Sequence, residues 1–222
     1  ASTGVGATVV HTAKAGSQIM LKGVGNTSPA YYQASDEWRI DASNLFLLSG
    51  TAPDQPQVTA KCRATTGTAD TTAVTINGWD TDSTHYIKIW TDPSENYRHQ
   101  GKYDILKYRL EVSSSRSIDN YEYYVRLDGL QIKNLYTSRF YSILSRHETG
   151  GDFQVSNSIF NSNGATGNGD GISADYGGNV KIWNNILYGF LGQGIDIHTG
   201  YVYNNTVLNS GAGIVSSDGT GT

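Results

Sequence analysis

Cysteine occurs once in the 222 residues, at Cys62, so no disulfide can close within the chain and no cysteine-based zinc site can form. Cys62 itself reads as a small core residue. No stretch approaches the ~18 consecutive apolar residues of a membrane helix, so no membrane span is expected. Runs of lysine or arginine are missing too. With 16 basic against 20 acidic residues and a formal net charge of −4, the chain lacks the basic footprint of a nucleic-acid binder. No secretory leader is recognisable. That fits a processed secreted protein or a virion component, and an extracellular, cell-surface or virion location is the expectation. Methionine occurs once and proline four times, whereas glycine (26) and tyrosine (15) are plentiful, the profile of a turn-rich all-β chain.

What organises the chain lies between Val125 and Ser216. Four stretches share one pattern: Val125-Arg-Leu-Asp-Gly-Leu-Gln-Ile, Phe153-Gln-Val-Ser-Asn-Ser-Ile-Phe, Val180-Lys-Ile-Trp-Asn-Asn-Ile-Leu and Tyr201-Val-Tyr-Asn-Asn-Thr-Val-Leu, starting at intervals of 28, 27 and 21 residues. A second signature follows the last three: Gly169-Asp-Gly-Ile, Gly192-Gln-Gly-Ile and Gly211-Ala-Gly-Ile. Repeats of 20–30 residues built from short strands mark a stacked β solenoid. The first and third columns (Val125, Phe153, Val180, Tyr201; Leu127, Val155, Ile182, Tyr203) are apolar or aromatic, as in a strand with one buried face. The fifth column, Gly129, Asn157, Asn184 and Asn205, fits a corner, because Gly and Asn tolerate left-handed backbone. Asparagines stacked at such corners would also satisfy backbone groups that the bend leaves free.

The Val-x-Ile-x-Asn-Asn-x-Ile pattern followed by Gly-x-Gly-Ile resembles the right-handed parallel β-helix of the pectin-lyase-like superfamily, over residues 120–216. The resemblance implies a single all-β solenoid with an N-terminal cap. It leaves function open among polysaccharide lyases, glycoside hydrolases, tailspikes, adhesins and non-catalytic surface proteins. Residues 1–222 are read as one domain: a cap and first irregular coil over 1–50, irregular coils over 51–120 and regular coils over 121–222. Thr8-Val-Val and Gln18-Ile-Met-Leu belong to the first coil in this reading, and Ser35-Asp-Glu looks like the start of a short covering helix. The spacing Tyr32…Trp38, with Thr72-Ala-Val-Thr-Ile-Asn-Gly-Trp and His85-Tyr-Ile-Lys-Ile, is similar to an N-terminal module of uncharacterised bacterial and phage β-helix proteins. Strands are expected at Gln57–Lys61, Val74–Ile76, Tyr86–Trp90 and Tyr108–Val112, and Asn161–Asp170 reads as a Gly/Asn loop.

Two sets of residues carry candidate chemistry. If Ile172, Ile195 and Ile214 point inward, Ser173 falls beside Asp196 and Asp175 beside His198 on the outer face. With Asp170 in the preceding turn, that patch would hold three carboxylates and an imidazole. Acid–base work on a sugar needs paired carboxylates roughly 5–9.5 Å apart, and the same oxygens would suit Ca2+, although no cofactor is required. A solvated polar strand face is the plainer reading. Asn168-Gly-Asp-Gly-Ile is similar to the Asn-Thr-Asp-Gly motif of polygalacturonase-type hydrolases. The family's Gly-Asp-Asp-Cys-Ile motif would fall on Gly192-Gln-Gly-Ile, which has neither aspartate, so only Asp170 carries over.

The second set lies on the outward columns of the repeat: Arg126 and Lys181, with Asp128 and Trp183 two residues further on. A lyase needs a basic residue as its base, but Arg126 and Lys181 stand two coils apart, with Gln154 and Ser156 between them. Trp183 and the tyrosines would suit an aromatic platform for sugar rings. The adjacent apolar pairs Ile159-Phe160, Ile186-Leu187 and Val207-Leu208 each place one member outward, a possible partner stripe. His11, His85, His99 and His147 show no ligand spacing, and Arg146-His-Glu reads as a loop ion-pair network. Three functional readings follow: a non-catalytic structural or surface protein that self-associates or joins a larger assembly and binds polysaccharide, a polysaccharide lyase or glycoside hydrolase, or a truncated module of a larger adhesin or tailspike.

Overall fold

The structure is a computed structural model that describes residues 8–11, 18–22, 30–33, 38–41, 57–64, 67–79, 81–137, 141–146, 150–162, 169–174 and 178–216. It is all-β, with no helix among the described residues. Four strands come first: β1 (Thr8–His11), β2 (Gln18–Lys22), β3 (Ala30–Gln33) and β4 (Trp38–Asp41). The coils follow. β5 (Gln57–Lys61) and β6 (Val74–Ile76) open the stack, then β7 (Ile87–Trp90), β8 (Leu110–Val112) and β9 (Ile118–Asn120). The next two coils are β10 (Tyr124–Asp128), β11 (Gln131–Asn134) and β12 (Ile143–Ser145), then β13 (Asp152–Ser156), β14 (Ile159–Asn161) and β15 (Ile172–Ala174). Two more close the described stack: β16 (Asn179–Trp183), β17 (Ile186–Tyr188) and β18 (Gln193–Ile197), then β19 (Gly200–Tyr203), β20 (Thr206–Leu208) and β21 (Ala212–Ser216).

The coil of β5 and β6 lends strands to two sheets, and from β7 onward each coil lends one strand to each of three sheets. Sheet A runs β21-β18-β15-β12-β9-β6-β1-β4, sheet B runs β19-β16-β13-β10-β7-β5-β2-β3 and sheet C runs β20-β17-β14-β11-β8. From β5 onward every coil-to-coil pairing is parallel. This is a right-handed parallel β-helix, the hand that crossovers between parallel strands take.

Alternation builds the interior. In sheet B, Ile87, Val125, Phe153 and Val180 stack in register, and all are at least 98% buried. Sheet C stacks Leu110, Ile132, Phe160 and Leu187, and sheet A stacks Ile118, Ile143, Ile172 and Ile195. Each such side chain contributes about 1.5–3 kcal/mol by leaving water. Cys62 lies in the same core, where burial pushes its thiol up to about 12 and leaves it unreactive.

The fourth repeat sits one residue away from the frame its sequence suggests. Val180 pairs with Gly200 and Trp183 with Tyr203, so the copy begins at Gly200 and the interval is 20 residues. A one-residue slip exchanges the faces of a strand. Tyr201 and Tyr203 therefore point outward, Val202 takes the inner column, and Val207 rather than Leu208 stacks on Leu187. Gly200 fixes this frame: its φ is +153°, and a Cβ there would stand 2.3 Å from the Val180 carbonyl oxygen.

The corner column becomes Gly129, Asn157, Asn184 and Asn204, with φ of 73°, 50°, 56° and 53°. The hydrogen-bonded ladder lies one column further in. Asn185 Oδ1 accepts from the Ser158 N–H at 2.9 Å, and Asn185 Nδ2 donates to the Val155 carbonyl at 3.0 Å. Asn205 repeats the arrangement one coil on, accepting from the Asn185 N–H at 3.0 Å and donating to the Ile182 carbonyl at 2.8 Å. One column thus supplies the left-handed bend and the next supplies the polar partners.

The N-terminal strands do not form a coil. β1 pairs antiparallel with β6 and β4, and β2 pairs antiparallel with β5 and β3, extending sheets A and B. Where a helix was expected, Trp38–Asp41 is a strand, and Ser35–Glu37 lie outside the described residues.

The ladder makes a direct prediction. Asn185→Ala strands a buried N–H and a buried C=O, at about 1–3 kcal/mol for each group. Asn184→Gly, at a left-handed position facing solvent, should stay within about 0.5 kcal/mol of the parent. Urea denaturation of both variants measures the difference, and equal losses would contradict the ladder.

Candidate functional site

The first candidate patch is assembled on sheet A, but it is not open. Register puts Ser173 beside Asp196, as the repeat suggested. Both are enclosed, Ser173 at 0% and Asp196 at 8% exposure, and Leu144 in the same column is buried too. The expectation of a solvated outer face is therefore wrong here: this stretch of sheet A is covered on both sides, as parallel sheets often are, so alternation no longer separates core from water. Asp170, 9% exposed, lies just before β15. Its Oδ1 accepts the Gln193 N–H at 2.6 Å, and a Cβ on Gly192 would lie 2.1 Å from that oxygen. The carboxylate positions the start of β18, and it explains the first glycine of Gly192-Gln-Gly-Ile.

The second glycine of the signature has a packing cause. A Cβ at Gly171 would stand 2.4 Å from the Gly194 carbonyl oxygen, and one at Gly194 would stand 2.4 Å from Val207 Cγ1. His198 is half-buried, its N–H donating to the Ala174 carbonyl at 3.1 Å. Asp175, His147 and Glu148 lie outside the described residues. No group of three His, Cys, Asp or Glu suited to a metal ion occurs among the described residues. No helix there is long and apolar enough to cross a membrane.

The second candidate set shares the outer face of sheet B. Register stacks Lys88, Arg126, Gln154, Lys181 and Tyr201 in one row and Trp90, Asp128, Ser156, Trp183 and Tyr203 in the next. Arg126 and Lys181 are two coils apart, yet one carboxylate joins them: Asp152 lies 2.8 Å from Lys181 Nζ and 3.9 Å from Arg126 Nη2. The sequence reading missed Asp152, whose only signal is its place just before the first column of its repeat. The Arg126 guanidinium also lies 3.5 Å from the Tyr86 ring centroid. Lys88 Nζ stands 4.0 Å from the Trp90 ring centroid, and burial lowers the pKa of its ammonium. Arg126 and Lys181 are thus each engaged with the Asp152 carboxylate, in poor position to take a proton from substrate.

Asp128 is a structural anchor. Arg98 grips it with two hydrogen bonds of 3.0 and 3.1 Å, and Ser156 and Asn157 donate to it at 3.0 and 2.7 Å. Burial raises the pKa of the carboxyl, but these donors outweigh it and hold it below the usual carboxylate range. A Cβ at Gly129 would meet Arg98 Cζ at 2.5 Å, which explains glycine in a column otherwise filled by asparagine. Arg98 sits in the polar loop 91–109 and ties it to sheet B. The loop is tied a second time by Lys61, 2.7 Å from Asp92 and 2.8 Å from Glu95, and by Arg63 paired with Glu95.

The most exposed side chains in these two rows are aromatic. Trp183 and Tyr203 stack with centroids 6.0 Å apart and planes 10° from parallel. Tyr201 is 66% and Tyr203 50% exposed. Of the three apolar pairs, Ile159 is buried and Ile186 half-buried, and only Leu208 is exposed, so no continuous outer stripe forms on sheet C. No protein-family model, no curated protein and no solved structure matches the chain.

The loop tethers predict acid sensitivity. Hydrogen bonds from Lys61 and Ser94 lower Asp92 to about 2, and Glu95 is lowered by Arg63. These folded values lie below the unfolded ones. Their stabilisation is therefore present above pH ~4 and is lost as pH falls toward ~2. Thermal unfolding should shift down over that window, and less so in Asp92→Asn. An unchanged melting temperature from pH 7 to 2.5 would contradict the tether.

Proposed function

We propose that this chain is a non-catalytic β-helix rod of an extracellular, cell-surface or virion protein, and that the C-terminal part of sheet B binds a glycan. The observation that carries this reading is the Trp183–Tyr203 stack with exposed Tyr201 beside it. These planes sit on adjacent coils about 4.8 Å apart, a pitch close to the length of one pyranose. Aromatic faces take up the C–H faces of sugars, and a rigid sheet holds the planes without an ordering cost on binding. Lys181 beside them offers hydrogen bonds to hydroxyl or carboxylate groups. Resemblance of the repeat to the pectin-lyase-like superfamily, in which polysaccharides are frequent ligands, supports the same class of partner.

The alternative, a hydrolase or lyase working through Asp170, Asp196 and His198, needs carboxylates that can reach a polymer. The enclosure of Asp170 and Asp196 speaks against it.

A titration of neutral and uronate-containing oligosaccharides, followed by calorimetry, tests the reading. Trp183→Ala and Tyr203→Ala should each weaken binding about tenfold, equivalent to ~1.4 kcal/mol, while Asp196→Asn leaves it unchanged. Release of sugar products by the wild type, abolished in Asp196→Asn, would establish the enzymatic alternative instead.

A further inference from the structure

From β10 onward, two residues join each strand of sheet B to the next strand of sheet C, as at Asn157-Ser158 and Asn184-Asn185. The join between β7 and β8 is instead the loop 91–109, which folds over the corners of the next two coils. Two anchors hold its middle. Arg98 grips Asp128 with hydrogen bonds of 3.0 and 3.1 Å. Gln131, fully buried, accepts the Asp104 N–H at 2.7 Å and donates to the Asp104 carbonyl at 3.0 Å.

Neither anchor depends on pH near neutrality. Burial raises the pKa of Asp128, but its donors outweigh that and hold it below the usual carboxylate range, so it stays ionised at about pH 5. Gln131 does not titrate.

His99 lies between the anchors, and its contacts do depend on protonation. Gly101, at φ +81°, closes a short turn by donating its N–H to His99 Nδ1 at 3.2 Å. Nδ1 is therefore an acceptor, and the neutral ring carries its proton on Nε2. Nε2 is shut off from solvent and faces the backbone of Asn157, at the corner after β13. The charged groups that act on the ring are Arg98 beside it and Asp128 on β10, already paired with each other. Asp128 also takes hydrogen bonds from Ser156 and Asn157. A second ring proton would sit on Nδ1, turning the acceptor of the Gly101 N–H into a donor and placing a cation next to Arg98.

We infer that His99 is the release of a pH-sensitive flap: its protonation frees residues 99–103 from the corner of Asn157 while the anchors at Arg98 and Asp104 stay closed. Gln100, Lys102 and Tyr103 of this stretch line an open cavity of about 600 Å³ with Asp104, Ile105 and Lys107, so the flap sets the shape of that cavity.

The direction of the response follows from the burial of the ring. Burial lowers the pKa of His99; the Asn157 backbone and Asp128 oppose this, and Arg98 adds to it. A folded value below the ordinary ~6.5 means that the docked flap is stable above that pH and is lost as pH falls through the folded value. The Lys61–Asp92 tether, with Asp92 at about 2, gives way only in stronger acid, so the two responses are separate. The flap does not rest on the glycan reading, since Trp183 and Tyr203 take no part in it.

Hydrogen–deuterium exchange of the full chain at about pH 7.5 and about pH 5, timed to match intrinsic exchange, tests the flap. Residues 99–103 should exchange about tenfold faster at the lower pH, with 126–128 and 131–134 unchanged. His99→Gln, which cannot charge, should show no such acceleration. An NMR titration of the wild type gives a second measurement that needs no variant. There the His99 ring and the Gly101 amide should shift with one midpoint below ~6.5. Equal acceleration in wild type and His99→Gln, no acceleration in the wild type, or a ring that titrates while the Gly101 amide stays still each overturns the inference.

Discussion

The coils of this molecule depend on parallel backbone pairing from one to the next. Each strand must lie in register on the one before it, at one strand spacing, in three sheets at once. That requirement makes inner columns of like residues, since Ile118, Ile143, Ile172 and Ile195 each stack on the next in adjoining coils. It also makes the corners repeat, because a coil that turned differently would throw its next strand out of register.

The corners divide the work between two columns. Gly129, Asn157, Asn184 and Asn204 adopt left-handed backbone. Ser158, Asn185 and Asn205 satisfy groups that the bend would otherwise leave unpaired inside. Glycine replaces asparagine or a larger residue where another atom claims the space: Arg98 at Gly129, Asp170 at Gly192, the next coil at Gly171. Charged residues that look like chemistry serve the same stack. Asp170 starts β18, Asp128 ties down the loop carrying Arg98, and Asp152 joins Arg126 and Lys181 across two coils. Aromatic rings, not charges, are the most exposed side chains at the C-terminal end of sheet B.

The columns of Val125, Phe153 and Val180 were legible because apolar alternation and coil length are written into every repeat. The fourth copy was misframed because Asn204 and Asn205 offer two equally good corners and three aromatic or apolar residues precede them. Only the need for glycine opposite Val180 decides between the frames, and that need is spatial. The pairing of Ser173 with Asp196 was legible from the glycine signature. Their burial was not, because alternation separates the two faces of a strand without saying whether the outer one is covered. The antiparallel start was hidden for a related reason: β1 to β4 follow no repeat, and nothing local in Trp38–Asp41 distinguishes a strand from a short helix.

Hydrogen–deuterium exchange in the presence and absence of a bound oligosaccharide tests the central claim most directly, since it maps contact without altering any residue. The account predicts slowed exchange confined to 179–183 and 200–203, the strands carrying Trp183, Tyr201 and Tyr203. Protection centred on 169–174 and 193–198, around Asp170 and Asp196, would contradict it and return function to the enclosed carboxylates of sheet A.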